Sequence, residues 1–231
     1  MSEPRLDRRL LLGGMALAGA AIASPAAAQA PAPAAGPTPQ PLPFDPKAVP
    51  GLSEKLLVSH HDNNYVGAVK RLGAIRAEFG KLDLATAPVF AINGLKREEL
   101  IARNSMILHE VYFAGFVAAE APSAGLAKAL ERDFGSVDRW AAEFSAMGKA
   151  LGGGSGWVLL TWSPHDGRLV NTWASDHTQT LAGGTPILAL DMYEHAYHMD
   201  YGSKAGDYVN AFMKAVSWKN ANQAFRRATA A

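Results

Sequence analysis

Two long segments in the first half of the chain repeat apolar residues at helical spacing. The first predicts a helix from Ser53 to about Phe79, and the Ser53 hydroxyl can cap its first turn. The second predicts a helix from Lys96 to about Phe116. The segment between them, residues 80–95, holds Pro88 and an Asn-Gly pair, which are typical of an irregular connection. Two helices joined in this way most simply form an antiparallel hairpin.

Shorter elements follow in the second half of the chain. Two helices are predicted at about Ser123–Phe134 and Val137–Leu151. Three segments rich in apolar, β-branched and aromatic residues then predict strands, at 156–162, 167–173 and 185–190. The third of these is apolar throughout, which favours burial on both faces. Helices resume near Met192, and the later helical segments are Ala205–Val216 and Lys219–Ala228.

These patterns predict an α+β fold in two parts. Residues 49–120 form an N-terminal antiparallel helical hairpin domain. Residues 121–231 form a C-terminal α/β domain, in which a small three-stranded antiparallel sheet is flanked by helices.

The first thirty residues have the pattern of an export signal. Arg8 and Arg9 precede an apolar stretch that runs to about Ile22, and small residues follow as far as a cleavage site near Ala28. The apolar stretch is too short for a stable membrane span, so no span is expected in the mature chain. The arginine pair resembles the twin-arginine type of signal, which predicts a periplasmic or otherwise exported protein. A Sec signal with an incidental arginine pair is the alternative.

Residues 31–48 are predicted to be a linker or arm. Proline recurs too densely between Pro31 and Pro43 for a helix or a sheet, and this density favours polyproline II. Folded structure is expected to begin around residues 44–52.

Composition narrows the chemistry that this chain can perform. The chain has 231 residues, of which 48% are hydrophobic and 19% charged, and its formal net charge is +1. Such a balance offers no broad basic face, so nucleic acid is not an expected partner, and the expected ligand is small. The absence of cysteine excludes thiolate nucleophiles, iron–sulfur clusters and cysteine-type zinc sites. Any metal must therefore be held by imidazole and carboxylate groups.

Four residues form a candidate metal-binding set. Asp191 and His195 are four residues apart, a spacing that brings two side chains together on a helical turn. The pair alone is weak, because a structural hydrogen bond is the default explanation for it, but a carboxylate that directly follows a buried apolar strand needs compensation. His60 and His109 lie on the apolar stripes of their helices, where each taken singly reads as a core histidine. Together the four make a three-histidine, one-aspartate constellation.

The sequence around these residues resembles the iron/manganese superoxide dismutase family. The Gly-Gly-Ser-Gly-Trp motif at 153–157 and the Asp-Met-Tyr-Glu-His-Ala-Tyr motif at 191–197 are similar to the paired signatures of that family. The segments 53–60 and 108–113 resemble its two helical ligand motifs. The resemblance runs from about Phe44 to the C-terminus and implies that the metal ligands are His60, His109, Asp191 and His195.

The resemblance also implies roles for residues around the metal. His177 falls near a glutamine that in many members contacts the metal-bound solvent, and a surface-loop histidine is the alternative. Tyr193 stands where a tryptophan is usual, and Trp157 keeps its role as a pocket wall. The family's gateway histidine corresponds to Asn64, and His198 stands where a tyrosine is frequent. In the family these two positions, a histidine and a tyrosine from the partner subunit, form the gateway pair. Here the histidine stands at the second position, His198, and an asparagine at the first, Asn64.

Two further positions depart from the family pattern. Ala68 replaces the usual active-site tyrosine, and Phe113 replaces a common tryptophan. His61 and His165 match no family role, and both are expected to face solvent.

The implied function is disproportionation of superoxide, a small anionic substrate, at one Mn or Fe ion per subunit. The resemblance further implies a homodimer in which Glu194 reaches the ligand His195 of the partner subunit. An acidic residue buried beside a ligand would also favour such a pairing, since its charge needs a partner. The alternative is a periplasmic metal-binding protein of the same fold with little or no dismutase turnover, because Asn64 and Ala68 replace groups that guide protons and substrate.

Overall fold

The computed structural model describes residues 36–230. The predicted export signal, residues 1–30, and the first residues of the predicted linker lie outside this range. The described residues form eight α-helices and three strands. Their bounds are α1 Glu54–Ser59, α2 Val66–Phe79, α3 Val89–Ala114, α4 Ala124–Phe134, α5 Val137–Ala150, β1 Trp157–Ser163, β2 Arg168–Ala174, β3 Thr185–Asp191, α6 His198–Tyr201, α7 Ala205–Ala215 and α8 Lys219–Thr229. The predicted α+β class, with helices first and a small antiparallel sheet after them, is confirmed.

The first predicted helix is interrupted by a π-helical segment, His60–Tyr65, between α1 and α2. Ser53 caps α1 as predicted, since its hydroxyl accepts a hydrogen bond from the backbone N–H of Leu56 at 3.1 Å. The wider π turn changes which side chains share a face. As a result the consecutive residues His60 and His61 are both buried, with 1% and 9% of their surfaces exposed.

Helix α3 begins at Val89, seven residues before the predicted start. Pro88 is its N-cap, where a proline leaves no helical hydrogen bond unmade. The Asn-Gly pair at 93–94 lies inside the helix, although each residue disfavours helix by up to about 1 kcal/mol. Packing outweighs this preference, because Leu95 and Ala102 of α3 join Leu72 of α2 in a small apolar cluster.

The sheet has the strand order β2-β1-β3, and both pairs are antiparallel. Trp157 opens the central strand and pairs with Ala174 on one side and Asp191 on the other. Gly156 makes this start possible: its φ is +135°, and a Cβ there would lie 2.1 Å from the Ala174 carbonyl oxygen. Strand β3 is buried from Ile187 onward, and α3 and α8 pack against it.

One hydrophobic core runs through both predicted parts of the chain. Tyr112 of α3 stacks on Phe212 of α7 with ring centroids 5.9 Å apart, which joins the hairpin to the C-terminal helices. No helix in the described residues is long and apolar enough to cross a membrane.

Folded structure begins before the predicted start at residues 44–52. Leu42 and Phe44 pack against the core, and the backbone N–H of Gln40 donates to the Tyr65 hydroxyl at 3.0 Å. Residues 36–45 of the predicted linker, whose described part is 36–48, therefore lie on the hairpin, and they are called the proline arm below. Exposed and half-buried residues alternate along it, which gives an extended segment a regular set of anchoring side chains.

Candidate metal centre

Four segments distant in sequence bring their polar side chains to one buried point. His60 comes from the π segment, His109 from α3, Asp191 from the end of β3 and His195 from the 3-10 turn that follows. Each offers one ligand atom, and these atoms all lie within 4.8 Å of one another. The side chains of the predicted ligand set are thus brought together.

The carboxylate of Asp191 is at the centre of this cluster. Its Oδ2 lies 3.1 Å from His60 Nε2, 3.3 Å from His195 Nε2 and 3.6 Å from His109 Nε2. Its Oδ1 accepts a hydrogen bond from the backbone N–H of Tyr193 at 2.8 Å. One oxygen is therefore anchored to the main chain, and the other faces three imidazole nitrogens.

Burial sets the electrostatics of the cluster. Asp191 is fully buried, and His60 and His109 are each 1% exposed. Desolvation lowers the pKa of His60, and it lowers the pKa of His109 to about 3. Burial alone would raise the pKa of Asp191, but the facing imidazoles of His195 and His60 outweigh it and hold that pKa below its usual value. The site thus favours the neutral forms of His60 and His109 beside one carboxylate anion.

The tautomer of His109 leaves its Nε2 atom without a hydrogen-bond partner in the described part of the chain. Its Nδ1 lies 2.6 Å from the Ser105 carbonyl oxygen, which can only accept, so Nδ1 carries the hydrogen. The Nε2 atom then presents a lone pair toward Asp191 Oδ2, and this buried nitrogen has no hydrogen-bond partner among the described residues. Two acceptors that face each other in a desolvated site call for a cation between them.

His177 and Tyr193 form one wall of the site. Their rings stack with centroids 4.7 Å apart, and Tyr193 also stacks on His195 at 5.3 Å. The indole Nε1 of Trp157 donates to His177 Nδ1 at 3.0 Å, which leaves the hydrogen of a neutral His177 on Nε2. His177 is half-buried, so the surface-loop interpretation of this residue is wrong.

The predicted gateway residues occupy more open positions. Asn64 is half-buried on the π segment, and His198 is exposed at the start of α6. No hydrogen bond joins their side chains within the described part of one chain. Ala68 is buried on α2, where it offers no polar group.

Two expectations about neighbours of the ligands are wrong. His61 is buried instead of facing solvent, because the π turn directs it inward to the Gln40 carbonyl oxygen, 2.8 Å from its Nε2. Glu194 is exposed in the single chain, so the argument for dimerisation from a buried, uncompensated charge does not hold.

The sequence did not predict the two tyrosines that lie at the main-chain carbonyl side of Asp191. The Tyr208 hydroxyl donates to the Asp191 carbonyl oxygen at 2.8 Å and lies 3.3 Å from the Tyr112 hydroxyl. Burial raises the pKa of both phenols, so they remain neutral donors. Neither residue belongs to a recognisable motif, and only the packing of α7 against α3 brings them together.

The fold and the cluster define an α+β protein with one candidate mononuclear metal centre of three histidines and one aspartate in its described residues. Residues 122–224 match the family model of the C-terminal domain of iron/manganese superoxide dismutases. The chain is 67% identical over 189 residues to the "Superoxide dismutase [Fe]" of Cupriavidus metallidurans, a match that covers 82% of this chain and 96% of that protein.

More distant relatives carry different metals in their names. The chain is 34% identical to "Superoxide dismutase [Mn] 1" of Halobacterium salinarum, with 81% of this chain and 94% of that protein covered. It is 32% identical to "Superoxide dismutase [Mn/Fe]" of Propionibacterium freudenreichii subsp. shermanii, with 82% and 96% covered. The chain belongs to the iron/manganese superoxide dismutase family. The predictions of this family, of an oxidoreductase and of Mn or Fe as its metal are confirmed.

The buried histidines predict that the metal-free protein loses stability as the pH falls. The unfolded chain binds protons on these histidines below about pH 6.5, whereas burial keeps the folded His109 neutral down to a pKa of about 3. The free energy of unfolding should therefore decrease by about 1 kcal/mol per pH unit for each such histidine between about pH 6 and 4. Urea unfolding of the metal-free protein at a series of pH values measures this slope.

Two variants separate the buried cluster from other histidines. His109→Leu should reduce the slope, whereas His165→Leu, a change in the exposed β1–β2 turn, should leave it unchanged. A metal-free protein whose stability stays constant or rises from pH 6.5 to pH 4 would contradict the assignment of neutral histidines.

Proposed function

We propose that the chain disproportionates superoxide to oxygen and hydrogen peroxide at one Mn or Fe ion held by His60, His109, Asp191 and His195. The observation that carries the proposal is the unpaired lone pair of His109 Nε2, buried and 3.6 Å from Asp191 Oδ2. A metal cation bound to both atoms would satisfy them and leave the hydrogen bond from Nδ1 to Ser105 intact. The names of the relatives support Mn or Fe as that cation.

The donor set suits the proposed metals. Three imidazoles and one carboxylate are borderline and hard ligands of the kind that Mn and Fe accept. When bound, the metal supplies the one-electron cycle between trivalent and divalent states that the disproportionation requires. Zinc would also accept these ligands, but it has no redox cycle and would leave the site inactive.

The protein's own residues orient the ligands and control access. Backbone hydrogen bonds at Asp191 Oδ1 and His109 Nδ1 hold these two side chains in one orientation each. Phe113 and Trp157 cover the cluster with aromatic surface and restrict water. The Nε2–H of His177, fixed by Trp157, is placed to donate to a small solvent or substrate molecule at the site.

Metal binding and turnover should fail together when the carboxylate is removed. Mature wild-type protein should contain about one Mn or Fe ion per subunit and consume superoxide. Asp191→Ala and His109→Ala should hold little metal, because each loses a buried ligand, and Asp191 also supplies the only anionic charge of the cluster. Elemental analysis and the rate of superoxide loss measure the two properties on the same samples.

The outcomes distinguish the proposal from its alternative. Full metal occupancy in Asp191→Ala would contradict the ligand assignment. A fully loaded wild-type protein that does not consume superoxide would instead favour the periplasmic metal-binding protein without turnover. His165→Ala is the matched control, since this exposed histidine in the β1–β2 turn lies outside the cluster.

The same site supports a homodimer. Glu194 is exposed directly beside the half-buried His195, and Met199 on the same stretch of chain is 48% exposed. In the family this glutamate reaches the ligand histidine of the partner subunit. A carboxylate placed on a ligand imidazole fixes the ring and increases its basicity, so each subunit would complete the site of the other.

Glu194→Ala should weaken the dimer and the hold on the metal together. Light scattering over a range of concentrations should give a dimer for the wild type and a larger monomer fraction for the variant, since an ion-paired contact is lost. Lys149→Ala, on the exposed end of α5, provides a surface control. A metal-loaded wild-type protein that is strictly monomeric would contradict the dimer.

His198 and Asn64 would then form a gateway hydrogen bond between subunits. An amide can donate to or accept from a neutral imidazole, so the exchange of residues relative to the family preserves the bond. His198→Phe should lower kcat/KM about 10-fold, the loss expected of one positioned hydrogen bond at about 1.4 kcal/mol. His198→Gln, which keeps a donor and an acceptor, should retain most of the activity.

A double variant tests the coupling of the two gateway residues. If they act through one bond, Asn64→Ala combined with His198→Phe should be no worse than either change alone. Additive losses, or an unchanged kcat/KM in His198→Phe at full metal content, would show that His198 does not act with Asn64.

Export is the remaining part of the proposal. Residues 1–30 have the charged start, apolar middle and small-residue end of a signal, with Arg8 and Arg9 before the apolar stretch. The match to the C. metallidurans protein covers 96% of that relative but only 82% of this chain, so this chain has additional residues. A periplasmic enzyme would remove superoxide on the far side of the inner membrane, which this anion crosses poorly.

Replacement of the arginine pair tests the route. Arg8→Lys with Arg9→Lys keeps the positive charge but should abolish export if the twin-arginine pathway reads the pair. Cell fractionation with metal analysis measures where the protein accumulates. Continued export of the double variant would assign the signal to the Sec pathway, and a wild-type protein found only in the cytoplasm would contradict export.

A further inference from the structure

The proline arm is held at the peptide groups of a single residue, Gln40. Its N–H donates to the Tyr65 hydroxyl at 3.0 Å, and its C=O lies 2.8 Å from His61 Nε2, which donates to it. His61 and Tyr65 both belong to the π segment. Both main-chain polar groups of one residue are therefore bound by two side chains of the segment that carries His60.

The contact continues from the π segment to the neighbouring long helix. The Tyr65 hydroxyl donates to Glu110 Oε1 at 3.0 Å, and Glu110 directly follows His109 on α3. The network therefore runs from Gln40 through Tyr65 to Glu110. It joins Tyr65, in the π segment that begins at His60, to the residue that follows His109.

Packing holds the arm on both sides of Gln40. Toward the core, Phe44 contacts Phe116 edge to face with ring centroids 5.8 Å apart. Toward the N-terminal side, Gly36 lies on Gly73 of α2, where a Cβ on Gly36 would be 3.3 Å from the Gly73 Cα. The arm therefore spans the π segment and is fixed at three points along its length.

His60 ends α1, where its backbone N–H donates to the Leu56 and Leu57 carbonyl oxygens, and it begins the π segment, which departs from the α-helical pattern. Without the arm, the Nε2–H of His61 would lose its carbonyl acceptor in a buried position, and the Tyr65 hydroxyl would lose its donor. Each such loss disfavours the present geometry, because it leaves a polar group without a partner. The π segment is then free to relax toward another turn, and His60 moves with it.

We propose that the proline arm is a positioning element of the metal site: through Gln40, Tyr65 and Glu110 it fixes the orientation of His60 relative to His109. The proposal rests on the proposed ligand roles of these two histidines. Tyr65 and Glu110 do not contact the cluster, so they act through the backbone of the neighbouring ligands.

Metal release tests the proposal without relying on turnover. The manganese-loaded protein is mixed with excess chelator at 25 °C, well below unfolding, and the rate of metal loss is measured. Tyr65→Phe should release metal about 10-fold faster or more, the usual effect of losing a group that orients a ligand. Glu110→Gln keeps an oxygen acceptor for the phenol and should stay near the wild-type rate, whereas Glu110→Leu should resemble Tyr65→Phe.

A matched pair at Gln40 isolates the backbone contact. Gln40→Pro removes the N–H that reaches Tyr65 and suits an extended proline-rich segment, and Gln40→Ala keeps that N–H. Both variants lose the same side chain. Only Gln40→Pro should accelerate metal release and shift the visible absorption of cobalt(II) bound in place of manganese, which reports ligand geometry.

A control variant far from the arm distinguishes a specific effect on metal release from a general loss of stability. Phe225→Leu weakens the edge-to-face contact of Phe225 with Trp162 and should lower the thermal stability without accelerating metal release. Equal release rates in Phe225→Leu and Tyr65→Phe, or unchanged rates and cobalt spectra in both Tyr65→Phe and Gln40→Pro, would overturn the proposal. Failure of the wild type to hold either manganese or iron would instead overturn the proposed function.

Discussion

The rest of the structure depends on a single buried carboxylate. Asp191 is fully excluded from solvent at the end of β3, where an uncompensated anion would be very costly. One of its oxygens is satisfied by a backbone N–H, and the other faces three imidazole nitrogens, of which those of His60 and His109 belong to rings that burial keeps neutral. Because Nε2 of the neutral His109 presents a lone pair to this anion, a cation bound to both atoms would stabilise the cluster.

The fold brings this carboxylate and the histidines together from both halves of the chain. The central strand β1 begins at Trp157, which pairs with Asp191 and contacts the edge of the His109 ring. The helices α1 to α3 deliver His60 and His109, and a common core prevents the two halves from shifting independently. The indole of Trp157 also sets the tautomer of His177. Trp157 therefore connects the central strand to both His109 and His177.

The elements with strong periodicity were predictable from the sequence, and so was the set of four residues that the fold brings together. The strands followed from short apolar runs between turn residues, and the ligands followed from an Asp–His spacing in a recognisable motif. The π segment was not predictable, because its side-chain pattern also fits a regular helix. The inward position of His61 and the attachment of the proline arm were missed for the same reason, since both depend on that turn.

The early start of α3 shows a different limit. Local preference at Asn93 and Gly94 opposes a helix, and only the packing of α2 against α3 overrides it. Glu194 shows the limit set by a single chain, since its environment depends on what covers the exposed face beside His195. Motifs therefore located the ligands, whereas tertiary contacts determined how the surrounding residues are arranged.

The most direct test of the account is a crystal structure of the metal-loaded protein with anomalous data collected at the iron and manganese absorption edges. The account predicts one anomalous peak per subunit, bonded to the Nε2 atoms of His60, His109 and His195 and to Oδ2 of Asp191. A peak at any other position, or a loaded crystal in which His109 Nε2 does not contact the metal, would contradict it.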